Sequence, residues 1–201
     1  MKEVVVALSG ASGIKYGIRL LEILKILNIK THFIITNSAK NVLKKETGFK
    51  LRDIYSIPTF NYSNYSFENI LASGSYISRK DISMIIIPCS MNTIGKVANS
   101  ISDNLVTRSA SVFLKENKKI LFVIRETPLS YIHLKNMLNI SLSGGIIFPA
   151  SPFFYNNPKT INEIIDDLVF RILNVINIKI PLKYQKEYIF KKHDSIYKNE
   201  G

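Results

Sequence analysis

The sequence has one cysteine, Cys89, and no tryptophan among its 201 residues. A single cysteine excludes an intrachain disulfide and any zinc site built on several thiolates. Histidine is also scarce. His32, His133 and His193 stand far apart, without the spacing that puts two imidazoles on one helix face. No metal site is expected. Nothing approaches the ~18 consecutive apolar residues of a membrane span. The apolar run at residues 4–8 is too short for the core of a signal peptide, and Glu3 precedes it. The expected location is the cytoplasm.

Acidic residues are few: 15 Asp and Glu stand against 27 Lys and Arg, a net charge of +12. That excess invites a nucleic-acid reading. The wider composition argues against it. Ile, Lys and Asn recur together throughout, as in residues 25–30 and 174–179. These residues share A/T-rich codons, so lysine can accumulate without a polyanionic partner. The basic surface is read as a solvated face, with no nucleic acid bound.

What is present is an alternation of two periodicities. Short β-branched runs at residues 4–8, 32–36, 84–88, 119–124 and 146–148 read as strands. Helical spacing occupies 14–27, 38–46, 92–98, 103–117, 128–138 and 161–176. Near-continuous apolar strands separated by helices mean a parallel sheet covered on both faces. The expected fold is a doubly wound α/β sandwich of three layers, Rossmann-like or flavodoxin-like. Ligands of such folds sit beyond the carboxyl ends of the strands. Residues 58–66 read as a loop. Residues 1–181 are read as one domain, and 182–201 as a basic arm suited to packing on a neighbouring subunit.

The motifs fall where the fold puts chemistry. Ser9-Gly10-Ala11-Ser12-Gly13 follows the first strand and opens the first helix, either a phosphate cradle or a tight turn. It is neither a G-x-G-x-x-G fingerprint nor a P-loop, and Thr36 stands where a dinucleotide site would have an acid. Pro88-Cys89-Ser90-Met91-Asn92-Thr93 offers hydroxyls, an amide and N–H groups at a strand end; plain helix capping by Ser90 is the alternative. Cys89 has no nearby histidine in sequence and reads as a buried structural thiol. Arg108 and Lys115 lie two turns apart on one helix face, a candidate anion site or a solvated basic face. Arg125-Glu126-Thr127-Pro128 ends an apolar strand. A carboxyl desolvated there favours its protonated form and suits general-acid duty. Arg171 follows Asp167 by one helical turn, which also allows a simple ion pair.

Taken together, Gly10-Ala11-Ser12-Gly13 with Tyr16-Gly17, Glu46-Thr47, Ala72-Ser73-Gly74-Ser75, Pro88-Cys89-Ser90, Asp103-Asn104-Leu105 with Arg108, Leu114-Lys115-Glu116, Arg125-Glu126-Thr127-Pro128 with His133-Leu134, and Phe154-Tyr155 with Arg171 resemble the flavin prenyltransferases of the UbiX type. The resemblance spans roughly residues 2–175. It implies transfer of a dimethylallyl group from dimethylallyl phosphate to N5 and C6 of reduced FMN, without a metal. The product would serve a partner decarboxylase of the UbiD type. By the same resemblance Gly10, Ala11, Ser12, Thr36, Ser90, Met91, Asn92, Thr93 and Arg125 would hold FMN. Arg108, Lys115, Tyr155 and Arg171 would bind the dimethylallyl phosphate, some of them from a neighbouring subunit of a homododecamer. Glu126, Ser12, Lys115 and Glu46 would be the catalytic set. The related flavin-dependent peptidyl-cysteine decarboxylases are the nearest rival, since Asn92-Thr93 fits their motif too. A non-catalytic flavin carrier is the reading from another class.

Overall fold

A computed structural model of the chain describes residues 2–181. Two compact units are present, one ending at Ala150 and one beginning at Ser151. The expected arm at 182–201 lies outside the described residues.

The first unit is built on six strands: β1 (Glu3–Leu8), β2 (Lys30–Ile35), β3 (Phe60–Tyr62), β4 (Ile82–Cys89), β5 (Ile120–Ile124) and β6 (Ile146–Pro149). They pair in the order β3-β2-β1-β4-β5-β6, every pair parallel. All six residues of β1 are buried. Successive side chains point to opposite faces, so the sheet is covered on both. Val5 and Ala7 join a core with Ala110, Phe113, Phe122 and Ile94. Leu8 faces the opposite layer, where Gly17 of α1 (Ile14–Ile26) approaches so closely that a Cβ would lie 2.3 Å from Leu8 Cδ2 and 2.6 Å from the Ile87 carbonyl oxygen. A side chain at position 17 would push this helix off the sheet.

The remaining helices of the unit are α2 (Asn37–Glu46), α3 (Leu51–Tyr55), α4 (Gly74–Ser78), α5 (Met91–Ala98), α6 (Leu105–Lys115) and α7 (Tyr131–Leu142). Hydroxyl and amide side chains cap most of them. Thr36, Ser73, Ser90, Asn104 and Ser130 each accept a hydrogen bond from a first-turn N–H, satisfying a donor that the helix itself leaves open. His133 completes a capping box with Ser130.

One strand was not expected. Phe60–Tyr62 lies within the segment read as a loop, yet it pairs in register with residues 32–34 of β2. It is a three-residue edge strand with two exposed positions, too short to show an alternation among Asn, Ser and Tyr. The second unit contains α8 (Ile161–Val175), capped by Thr160, which buries Ile165, Leu168, Val169 and Ile172 along one stripe.

Candidate active site

In this strand order the chain runs outward from β1 through β2 to β3, then returns to β4 and runs the other way. The carboxyl ends of β1 and β4 therefore border the crevice where such folds bind ligands. Ser9 joins them. Its hydroxyl donates to the Pro88 carbonyl at 3.0 Å and accepts from the Ser90 N–H at 2.8 Å, while its own N–H donates to Pro88 at 3.1 Å. Ser9 is 1% exposed, so the β1–α1 and β4–α5 loops are fixed to each other from inside.

Around this staple the structure gathers the residues assigned to FMN by resemblance. Gly10 lies against the start of α2; a Cβ there would stand 2.4 Å from Ser38 Oγ. Thr36 opens α2, its Oγ1 accepting from Ala39 N–H and contacting Ser38 Oγ at 3.0 Å. Ser90 opens α5, contacting Thr93 Oγ1 at 3.0 Å. Met91 and Asn92 occupy the first turn of α5. Arg125 follows β5 and is exposed. Helix N-termini at two strand ends, four hydroxyls and a guanidinium form a donor set for a phosphate and a polar ring edge. That chemistry fits FMN. Cys89 is different: it is fully buried, burial pushes its thiol up far out of reach of ionisation, and it serves the core.

The glycine loop is a turn with its own anion. Gly13 adopts φ 103°, and its N–H and that of Ile14 donate to Glu46 Oε2 at 3.0 and 3.1 Å. The N-terminus of α1 is thus occupied by a carboxylate of the same chain. The bond also brings Glu46 to the rim of the crevice, beside exposed Ser12.

Glu126 departs from expectation. It follows β5 as expected, but it is exposed, and among the described residues its carboxylate accepts only the neighbouring Thr127 N–H at 3.1 Å. The apolar strand ends at Ile124, and the loop carries the side chain past the sheet edge into solvent. The described residues do not desolvate it.

One of the expected residues lies away from the crevice. Lys115 ends α6 at the amino edge of the sheet, close to Lys118, whose ammonium donates to the Lys80 carbonyl at 2.8 Å. A strand's length of about 17 Å separates that edge from the crevice. Lys115 pairs with Glu116 at 2.8 Å and lines a cavity of about 290 Å³ with Ser111, Leu114, Ile140 and Ser143. Arg108, in the first turns of α6, is exposed and forms no ion pair among the described residues. In the second unit, Tyr155 and Arg171 share a cavity of about 570 Å³ with Phe153 and Phe170. Tyr155 stacks on Phe153 at 4.8 Å. Asp167 accepts from Asn156 at 3.2 Å instead of pairing with Arg171. The simple ion pair offered by their spacing is not formed.

Known proteins share this fold. A family model described as Flavoprotein matches residues 1–177. A Bacillus subtilis protein named a probable UbiX-like flavin prenyltransferase is 40% identical over 179 residues, covering 89% of this chain and 86% of that protein. The chain belongs to the UbiX-type flavin prenyltransferase family. A crystal structure of AnUbiX (PadA1) in complex with FMN and dimethylallyl pyrophosphate superposes with a TM-score of 0.84 at 36% identity, covering 88% of this chain and 92% of that one. A dodecameric FMN-dependent UbiX-like decarboxylase from Escherichia coli O157:H7 gives 0.85 at 38% identity, covering 90% and 97%.

Within this flavin prenyltransferase fold, Ser9 and Ser38 are positioning residues to which motif reading gave no role. Ser9 carried one signal, its place directly after a buried strand. Ser38 carried none, because its contact with Gly10 depends on how two loops meet.

Proposed function

We propose that this protein transfers the dimethylallyl group of dimethylallyl phosphate to reduced FMN and releases phosphate. The observation that supports this most is its likeness, at 36% identity over most of both chains, to a structure holding FMN and dimethylallyl pyrophosphate together. Reduced FMN, when bound, supplies the nucleophilic ring atoms N5 and C6.

The chain's residues divide the remaining work. Gly10, Ala11, Ser12, Thr36, Ser90, Met91, Asn92, Thr93 and Arg125 hold the flavin and its phosphate at the β1–β4 crevice. Arg108, Lys115, Arg171 and Tyr155 bind the substrate phosphate. A departing phosphate needs fixed cations and donors where its charge develops, and each charge-assisted bond contributes about 1.5–3 kcal/mol. Lys115 stands at the far edge of its own sheet, so in this reading it serves the crevice of another copy. The dodecameric relative supports such an assembly. Glu126 moves protons between the prenyl double bond, the ring carbon and the released phosphate, and packing against a neighbouring copy would supply its desolvation. Glu46 and Ser12 line the same rim. The product passes to a UbiD-type decarboxylase, and the enzyme works in the cytoplasm.

The test is anaerobic. The protein is mixed with reduced FMN and either dimethylallyl phosphate or the diphosphate, and the extracted flavin is weighed by mass spectrometry. A gain of one isoprene unit is expected. Bound but unmodified flavin with both donors would overturn the proposal and favour a decarboxylase or a carrier.

A further inference from the structure

Lys115 does not stand alone at the end of α6. Its ammonium lies 2.8 Å from Glu116 Oε1, and the two side chains differ in exposure: 69% for Lys115 and 22% for Glu116. The more buried partner is the anchor. Glu116 is also the residue that terminates α6, its N–H donating to the Val112 and Leu114 carbonyls, so its backbone is held by the helix end. Opposite the pair stands Gly74, the first residue of α4. A Cβ built there would lie 2.6 Å from Glu116 Oε1 and 2.9 Å from Lys115 Nζ. Both distances are below any real contact of that kind. Gly74 does not have the positive φ that would call for glycine. The missing side chain is therefore accounted for by the two charged heads that fill its space.

We infer that Gly74 and Glu116 form a notch that positions the Lys115 ammonium for the substrate phosphate. This rests on the proposed role of Lys115. A lysine head on four rotatable bonds must be ordered before it can meet an anion, and that ordering opposes binding. Here the ordering is done within the fold: the carboxylate holds the ammonium, and the glycine lets the carboxylate and ammonium settle beside α4. Both are positioning residues, acting through Lys115.

The experiment is a kinetic double-mutant cycle on the assembled, flavin-loaded protein, with dimethylallyl phosphate as the varied substrate. Gly74→Ala displaces only the far ends of two flexible side chains, so the fold, the thermal midpoint and FMN affinity are expected to hold. The KM for dimethylallyl phosphate is expected to rise about tenfold, the scale of one weakened charge-assisted bond, with kcat changing less. Glu116→Asp in the Gly74→Ala background withdraws the carboxylate by one methylene from the added methyl, and part of the loss should return. In a Lys115→Ala background the Gly74→Ala change should have no further effect, because the group it positions is gone. A Gly74→Ala KM within twofold of wild type, alongside a large Lys115→Ala effect, would overturn the notch and leave the role of Lys115 standing. Unchanged kinetics in Lys115→Ala would remove the role of Lys115 itself. Equal effects of Gly74→Ala with and without Lys115 would show a general disturbance of α4 and also overturn the proposal. If Gly74→Ala does not assemble, Glu116→Gln decides: it keeps an acceptor but loses the charge, and an unchanged KM there rejects the anchor.

Discussion

The carboxylate of Glu46 closes the helix that Gly13 opens. Glu46 Oε2 lies 3.0 Å from Gly13 N and 3.1 Å from Ile14 N, at the positive end of the α1 dipole. The left-handed Gly13 turns two successive amides toward one acceptor. A charged cap in this position contributes about 1 kcal/mol. Glu46→Gln should therefore lower the urea midpoint by a corresponding amount at unchanged slope. An unaltered midpoint would mean that these amides are satisfied equally well by water.

Ser9 carries a larger share of the site than its size indicates. It is the only side chain bonded to both Pro88 and Ser90 among the described residues. Ser9→Ala leaves the Ser90 N–H short of its partner, while the Pro88 carbonyl keeps the backbone N–H of residue 9, a loss of about 1–3 kcal/mol. The β1–α1 and β4–α5 loops would lose their common reference. Weaker FMN binding is expected together with the lower stability, both measurable by fluorescence titration and urea unfolding. A variant that loses stability but binds FMN with wild-type affinity would show that the two loops do not need the staple.

Glu126→Gln separates binding from chemistry. The side chain is exposed and, among the described residues, bonds only to its neighbour Thr127, so the fold should not notice the change. On the proposed reading it moves protons, a contribution of about 10²–10⁴-fold. FMN should bind as in wild type while turnover falls at least a hundredfold, measured as prenylated flavin formed over time. Turnover within threefold of wild type would exclude Glu126 from proton transfer.

How far the sequence carried these conclusions differs by element. The buried strands β1, β4 and β5 were legible because both faces are covered and almost every residue is apolar. The helix start at Ser90 was legible because capping is local chemistry. β3 was not, because its partner supplies its reason for being extended. The same division applies at the site. Gly10, Ser90 and Arg125 were visible as residues following strands. That Glu46 caps α1 depends on a contact across 33 positions. That Lys115 stands at the opposite edge from Ser9 depends on the direction in which α6 crosses the sheet. Neither is written in local spacing.

Away from the crevice, a buried polar cluster makes stability depend on pH. His32 is 0% exposed; its Nε2 lies 2.8 Å from Glu3 Oε2 and its Nδ1 2.9 Å from the Tyr62 hydroxyl. A neutral ring with its proton on Nε2 satisfies both, donating to Glu3 and accepting from Tyr62. Lys30 lies 3.3 Å from Glu3 and Lys80 3.6 Å, and the Tyr76 hydroxyl donates to Glu3 at 3.4 Å. Burial holds the His32 imidazole below its usual 6.5, outweighing the attraction of Glu3. For Glu3, burial acts upward, but the bonds from His32 and Lys30 together hold the carboxyl below its usual 4.5. The signs then agree. The unfolded chain takes up a proton at His32 near 6.5 while the folded chain resists it, so stability falls as pH drops below that value. Glu3 adds a second loss as pH falls through its depressed folded value, below 4.5. Stability should be flat above about pH 7 and decline toward pH 5. His32→Gln retains a donor for Glu3 and cannot titrate. Its unpaired Tyr62 hydroxyl costs about 1 kcal/mol at every pH, so the variant should be less stable at neutral pH yet lose less between pH 7 and 5. Urea midpoints at the two pH values measure both slopes, and equal slopes would assign the acid sensitivity to other groups.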